Sequence, residues 1–232
     1  MFGLATEDCL AEIYRLQAAG ESATTGSVAD RRHVTPASTT SMFKRLARDG
    51  LVTYREYEGV TLTDEGKRLA LSVLRRHRLV ERFLTDVLRM PWESVDDIAD
   101  QMEHALPDAV VDALETMLGN PFTCPHGYPI PDRDGRLPQV PLRRLAELGP
   151  GETGLVARVD ERVPGLLPYL QGVGMTLGAS VTVVTVNPVD DTVTLHVAGA
   201  RFVVGPRVAE AVAVAPLGRD RAADGGAAAP KV

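Results

Sequence analysis

The 232-residue sequence predicts a mainly α-helical chain that ends in a small all-β domain. Three observations carry this. Up to about residue 118 the apolar residues recur at helical spacing. From about residue 153 the period switches to two. Between them, residues 119–141 hold 6 of the 16 prolines and 3 glycines, the signature of a stiff linker. In order, residues 6–19 predict an amphipathic helix with Leu10, Ile13, Tyr14 and Gln17 on one stripe, and residues 24–31 a short helix after the turn at Gly20. Residues 35–49 predict a third helix, with Pro36 in its first turn and Gly50 as its stop. LVTYREYEGVTLT (51–63) is rich in Val, Thr and Tyr and broken at Glu58-Gly59, a hairpin signal. A long helix then runs from Thr63 to before Pro91, followed by helices over 93–106 and 107–118. Beyond the linker, 153–159, 180–186, 192–198, 200–205 and 208–214 read as strands of a small barrel, with a helical turn around Leu166–Gln171; residues 217–232 read as a disordered tail.

Composition narrows the class. Hydrophobic content of 44% and charged content of 24% suit a soluble globular protein, no run of 18 apolar residues is present, and MFGLATEDCL lacks a basic region of the secretory kind. With only Cys9 and Cys124, a disulfide scaffold is excluded, and a cytoplasmic location without membrane association is expected. The net charge of −6 argues against nucleic acid until it is resolved along the chain. Residues 31–82 hold 12 Lys and Arg against 6 acids, a local +6, and residues 83–118 hold 9 acids against Arg89, a local −8. The first suits a polyanion and the second a metal cation, although charge runs are more often solvated faces.

Helix, helix, turn, helix and hairpin in that order make a winged helix-turn-helix, whose third helix enters the DNA major groove by its N-terminal residues. Here these are Thr35, Pro36, Ala37, Ser38, Thr39, Thr40 and Ser41, followed by Lys44, Arg45 and Arg48, with Tyr54, Arg55 and Tyr57 on the wing. Ser and Thr at a helix start also serve as caps, but recognition helix, wing and local charge agree on DNA. No Asn or Gln stands at that start, so reading rests on few direct base contacts plus DNA shape.

Two helical patterns point to metal. His77 and Glu81 are four apart on one face, and Asp100, Glu103 and His104 stand at i, i+3 and i+4. Asp8, on the first helix, is a further candidate. Singly, His77 reads more readily as a satisfied core histidine and Asp100/Glu103 as a solvated face; D-x-x-E-H together is more specific. Cys124-Pro125-His126 is a weaker signal, since structural zinc sites need four ligands. An enzyme is disfavoured: DQMEH (100–104) and HRLVE (77–81) both miss a histidine of the zinc hydrolase patterns, and no G-x-S-x-G, P-loop or G-x-G-x-x-G occurs. A sensor of a small organic ligand is disfavoured by an aromatic content of 5%.

TEDCLAEIY (6–14), TPASTTSMFKRLARDGLV (35–52), LTDEGKRLA (62–70), RRHRLVERFL (75–84), DQMEH (100–104) and TCPHGYPIP (123–131) together resemble the diphtheria toxin repressor/iron-dependent regulator family. The resemblance spans about residues 5–215 and is closest to the manganese-responsive branch. It implies a winged helix-turn-helix domain over 1–63, a helical metal-binding and dimerisation domain with the linker over 64–141, and an SH3-like, FeoA-like domain over 142–216. It implies a homodimeric repressor that binds a palindromic double-stranded operator when loaded with metal and controls manganese uptake. Asp8, His77, Asp100, Glu103 and His104 match the primary site. Iron-responsive relatives place Met and Cys at the positions of Asp8 and Asp100; two carboxylates favour Mn²⁺, with Fe²⁺ second and Zn²⁺, Co²⁺ or Cd²⁺ as in vitro substitutes. The manganese branch usually has Glu at the position of Asp100. Glu81, Cys124 and His126 match a secondary site completed by Glu161, or by adjacent Asp160. The iron-type ancillary site instead wants His at Asp96. DNA contacts are implied for Thr35, Pro36, Ala37, Ser38, Thr40, Ser41, Lys44, Arg45 and Arg55.

Overall fold

The computed structural model describes residues 3–219, which divide into two compact units: 3–90, Ser94–Cys124 and Pro129–Pro138 form the first, and Pro91–Glu93, Pro125–Tyr128 and 139–219 the second. No helix among the described residues is long and apolar enough to cross a membrane.

In the first unit, α1 (Leu4–Ala18) buries Cys9, Leu10, Ile13 and Leu16. Thr24 caps α2 (Thr25–Arg31) by accepting from the Ser27 amide, and Thr35 caps α3 (Pro36–Arg48) by accepting from that of Ser38, so each helix starts where a hydroxyl takes an orphan N–H. Phe43 and Leu46 of α3 join the α1 side chains in one core. Gly50, at φ 74°, reverses the chain into an antiparallel hairpin, β1 (Val52–Arg55) and β2 (Gly59–Leu62), in register Arg55↔Gly59. Gly59 is obligatory, because its φ is 101° and a Cβ there would strike the Ala23 carbonyl, which accepts from the Val60 amide at 2.9 Å.

Thr63 caps α4 (Asp64–Arg82). The long helix expected up to Pro91 changes character at Phe83–Val87, a π-helical turn, where the Thr85 hydroxyl donates to the carbonyls of Glu81 and Arg82. The helix expected over 93–106 begins as a 3₁₀ turn, Trp92–Ser94, and becomes α5 only over Asp96–Glu103; α6 is Asp108–Met117. Buried Arg75 clamps α4 to α6, donating to both Glu115 oxygens at 2.5 and 2.8 Å and to Asp112 at 3.4 Å. The proline-rich segment is not a free spacer. Cys124, Pro125, His126, Ile130 and Pro131 are buried, and Thr123 pairs with Pro129 as an isolated bridge.

In the second unit β3 (Arg143–Arg144), β4 (Glu152–Val159), β5 (Ser180–Val186), β6 (Val193–Val197), β7 (Ala200–Val204) and β8 (Val212–Arg219) form an antiparallel sheet in the order β3-β8-β4-β5-β6-β7. Bulges between Val156 and Arg158 and between Val183 and Thr185 bend the longest strands. Val181, Val183, Leu195, Val197, Val212 and Val214 supply the core, together with Leu166, Leu167 and Leu170 of α7 (Leu166–Gly172). One expected strand is corrected. Residues 208–214 begin inside α8 (Pro206–Ala211), because Gly205 and Pro206 start a helix whose Ala209 faces the core, and β8 follows. The tail expected to be disordered from 217 is also corrected at its start. β8 runs to Arg219, with Glu152↔Arg219 in register, and the remainder lies outside the described residues.

Candidate metal centre

The primary candidates converge within the first unit. Asp8 comes from the second turn of α1, His77 from the buried face of α4, and Asp100, Glu103 and His104 from the C-terminal end of α5. Donor atoms of Asp8, Glu103 and His104 lie within 4.8 Å of one another, as do those of His77, Asp100 and Glu103. Glu103, buried, belongs to both groups: Oε1 lies 3.2 Å from His104 Nε2, and Oε2 lies 2.9 Å from His77 Nδ1. Asp8 Oδ1 stands 2.7 Å from His104 Nε2, and Asp100 Oδ1 3.1 Å from His77 Nδ1.

The electrostatics fit a cation. Burial works against charge on His77, yet Glu81, Asp100, Asp96 and Glu103 outweigh it and hold this imidazole well above its usual range. His104 is raised in the same way against its partial burial, by Glu7, Glu103 and Asp8. Asp100 is lowered, burial being outweighed by its bond to His77. Carboxylates that draw protons onto two imidazoles offer a divalent ion the same ligands once the imidazoles are neutral. Cys9, next to Asp8, takes no part. It packs into the α1–α3 core, and burial pushes its thiol up to about 11.

Three neighbours escaped the sequence reading. Glu7 accepts from His104 Nδ1 at 3.0 Å, which leaves Nε2 to face Asp8 and Glu103, and Glu7 in turn pairs with Arg76 at 3.6 Å. Asp96, named only as a position without the His of an iron-type site, stands 3.2 Å from His77 Nε2, and Glu81 stands 3.6 Å away. His77, Glu81 and Asp96 thus form a third donor group. Arg32, counted with the DNA-facing charge, turns inward and donates to Asp8 Oδ2 at 3.2 Å. Helical spacing exposed the α5 pattern, but contacts between α1, α2, α4 and α5 leave no spacing to read.

The expected secondary set is divided. Glu81 and Cys124 are buried in the first unit; His126 and Glu161 belong to the second, as does Asp160, which pairs with Arg162 at 3.2 Å. His126 is fully buried and stacked on Trp92, with Nε2 2.8 Å from the Trp92 carbonyl. A carbonyl only accepts, so Nε2 carries a hydrogen.

At the DNA-reading helix, Thr35, Pro36, Ala37, Ser38, Ser41, Lys44 and Arg45 are exposed, Thr40 is half-buried and Thr39 is buried. The hydroxyls of Thr40 and Ser41 donate to the carbonyls of Pro36 and Ala37 at 3.0 Å each. Arg45 donates to Thr6 of α1 at 2.9 Å, and exposed Arg55 pairs with Glu58 at the wing. Arg31 is held by Glu12 and Glu21, Arg32 by Asp8, and Arg75 and Arg78 are buried, so at least four of the twelve local bases are engaged within the protein.

Comparison with known proteins agrees with this arrangement. Residues 1–60 match the model of the iron dependent repressor N-terminal DNA binding domain, 63–132 that of the iron dependent repressor metal binding and dimerisation domain, and 143–216 that of the FeoA domain. The iron-dependent repressor IdeR of Mycobacterium tuberculosis is 34% identical over 192 residues, 78% of this chain and 84% of the relative. A manganese-dependent transcriptional repressor in complex with manganese superposes with a TM-score of 0.85 at 33% identity, covering 91% of this chain and all of the other. ScaR with bound Cd²⁺ superposes at 0.80 with 28% identity, covering 90% and 98%. The chain therefore belongs to the diphtheria toxin repressor/iron-dependent regulator family, whose members are DNA-binding, metal-dependent transcriptional repressors and not enzymes.

Proposed function

We propose that this repressor responds to Mn²⁺, binds a palindromic operator as a homodimer when loaded, and controls manganese uptake in the cytoplasm. The observation that carries the choice of metal is the donor set: Asp8, His77, Asp100, Glu103 and His104 offer carboxylate oxygens and imidazole nitrogens and no sulfur, while the neighbouring thiol of Cys9 lies in the core. Oxygen-rich sets suit Mn²⁺, and a thiol or thioether in their place favours softer ions. Fe²⁺ is the nearest competitor, and Zn²⁺, Co²⁺ and Cd²⁺ are expected to bind in vitro. The secondary set Glu81, Cys124, His126 and Glu161 is proposed as a regulatory ion site. The support for it is the burial of Glu81, Cys124 and His126.

When bound, a divalent ion supplies positive charge among the carboxylates of the primary set. The rest follows from the chain. Asp8 rides on α1, which Arg45 ties to the recognition helix through Thr6, while Glu103 and His104 end α5. Drawing Asp8 onto Glu103 and His104 fixes α1, and with it the helix-turn-helix, against α4 and α5. In a dimer this sets the two recognition helices about one DNA turn apart, ~34–36 Å. The negative charge of Asp8, Asp100 and Glu103 is partly offset by Arg32, which pairs with Asp8, and by Arg76, which pairs with Glu7. Exposed Val110, Met117 and Phe122, on α6 and just beyond it, supply apolar surface for the partner subunit.

Fluorescence anisotropy of a palindromic promoter fragment, with Mn²⁺, Fe²⁺, Zn²⁺ and Co²⁺ added singly to apoprotein, tests the reading. Mn²⁺ is expected to activate at a free concentration within its cellular range, and metal-blind DNA binding overturns the proposal. Typical coupling of about 1–3 kcal/mol predicts roughly 5–150-fold tighter operator binding with metal, and equal tightening of metal by DNA.

A further inference from the structure

Arg32 stands at the C-terminal end of α2, inside the helix-turn-helix, yet its side chain is withdrawn from solvent. It donates through Nη2 to Asp8 Oδ2 at 3.2 Å, while Asp8 Oδ1 faces His104 Nε2 at 2.7 Å. The two oxygens of one carboxylate are therefore divided between a fixed cation of the chain and the metal-ligand group. Asp8 is 41% exposed, so water could solvate its second oxygen, yet Arg32, which also hydrogen-bonds the Cys9 thiol, occupies it. A guanidinium on Oδ2 limits Asp8 to one donor oxygen and adds a positive charge beside the position that a divalent ion occupies.

We propose that Arg32 is a built-in competitor at the primary site. By holding Asp8 Oδ2 it keeps Asp8 a one-oxygen ligand and sets the affinity for a divalent ion weaker than the carboxylate set gives alone. This tunes the concentration at which the repressor switches, using a residue of the DNA-binding half. The inference rests on Asp8 being a metal ligand, as proposed above.

The test is Mn²⁺ titration of full-length apoprotein without DNA, with free Mn²⁺ read by its EPR signal and folding checked by circular dichroism. Parent, Arg32→Gln, Arg32→Met (which keeps the apolar stem), Arg32→Lys, Asp8→Ala and the Asp8→Ala/Arg32→Gln double variant are compared. Removing a charge at this range is expected to lower the Kd roughly tenfold in the Gln and Met variants. Arg32→Lys, which keeps the charge, is expected to stay near the parent. The gain is expected to shrink when Asp8 is already Ala, because the part that acts through the carboxylate is then lost and only the through-space charge remains. Unchanged or weaker binding in both the Gln and Met variants overturns the inference, and so does an equal gain in the Asp8→Ala background. If Asp8→Ala binds Mn²⁺ as tightly as the parent, the assignment of Asp8 itself fails, and the inference with it.

Discussion

Glu103→Gln is the most informative single change, because Glu103 is the carboxylate shared by two donor groups. Its oxygens stand 2.9 Å from His77 Nδ1 and 3.2 Å from His104 Nε2, and the side chain is buried. Gln keeps the volume and removes the charge. Asp8/Glu103/His104 then falls to two charged or imidazole donors, and so does His77/Asp100/Glu103. Asp100→Asn weakens only the second group, and Asp8→Asn only the first. Loss of even an outer-shell partner typically costs about 10–100-fold in metal affinity, which sets a floor for a direct ligand. Asp8→Asn and Asp100→Asn are therefore each expected to weaken Mn²⁺ by at least about tenfold. Glu103→Gln, which acts on both groups, is expected to cost at least about a hundredfold and to leave operator binding unresponsive to Mn²⁺ below millimolar. Calorimetric Mn²⁺ titration measures the first quantity, and anisotropy with a palindromic fragment the second. A Glu103→Gln protein no worse than Asp100→Asn or Asp8→Asn refutes the reasoning, because sharing predicts the larger loss.

Asp8→Met is expected to shift the order of activating metals from Mn²⁺ toward Fe²⁺ in the anisotropy assay; an unchanged order removes Asp8 from the set that selects the metal. Thr35→Ala removes the cap on the Ser38 amide and is expected to cost about 1 kcal/mol of stability by urea unfolding, with DNA affinity falling further than stability if the hydroxyl also meets phosphate. Glu115→Gln breaks the Arg75 clamp. Glu115 lies below the ordinary carboxylate range chiefly because Arg75 hydrogen-bonds it, so the clamp contributes above the unfolded pKa and is lost as pH falls through the folded one. The variant is therefore expected to be about 2 kcal/mol less stable at pH 7, with the deficit shrinking as pH falls through the folded-state pKa of Glu115; a deficit that does not change with falling pH refutes the ionic origin.

What the sequence made legible was what repeats along one element. The D-x-x-E-H of α5, the His77–Glu81 pair of α4 and the order of helices before the hairpin all follow from spacing on a single helix. What it hid was set by which helix meets which. Glu7 and Asp8 are neighbours in sequence, yet they meet opposite nitrogens of His104, because α1 presents both to the end of α5. Asp96 was judged by the ligand it is not, and only the approach of α5 to α4 places it on His77 Nε2. Strand and helix at 206–219 were confused for a local reason. Val and Ala alternate through both halves, and the decision lies in Gly205 and Pro206, which start a helix before the sheet resumes.

Charge counting failed at the same kind of place. A local +6 suits a polyanion, but Arg31 closes on Glu12 and Glu21, Arg32 on Asp8, and Arg75 on Glu115. Arg32 and Asp8, both of the DNA-binding half, pair beside the donor group that Asp8 forms with Glu103 and His104 of the acidic stretch. With Asp8 as the ligand proposed above, an arriving cation meets a carboxylate already half engaged by Arg32, so the proposal couples the affinity for metal to the posture of the DNA-reading helices through that contact. Reciprocity then requires that any operator sequence favouring the metal-loaded posture also tightens metal binding. Mn²⁺ titrations repeated with operators of graded affinity are expected to give Kd values that fall in the same order.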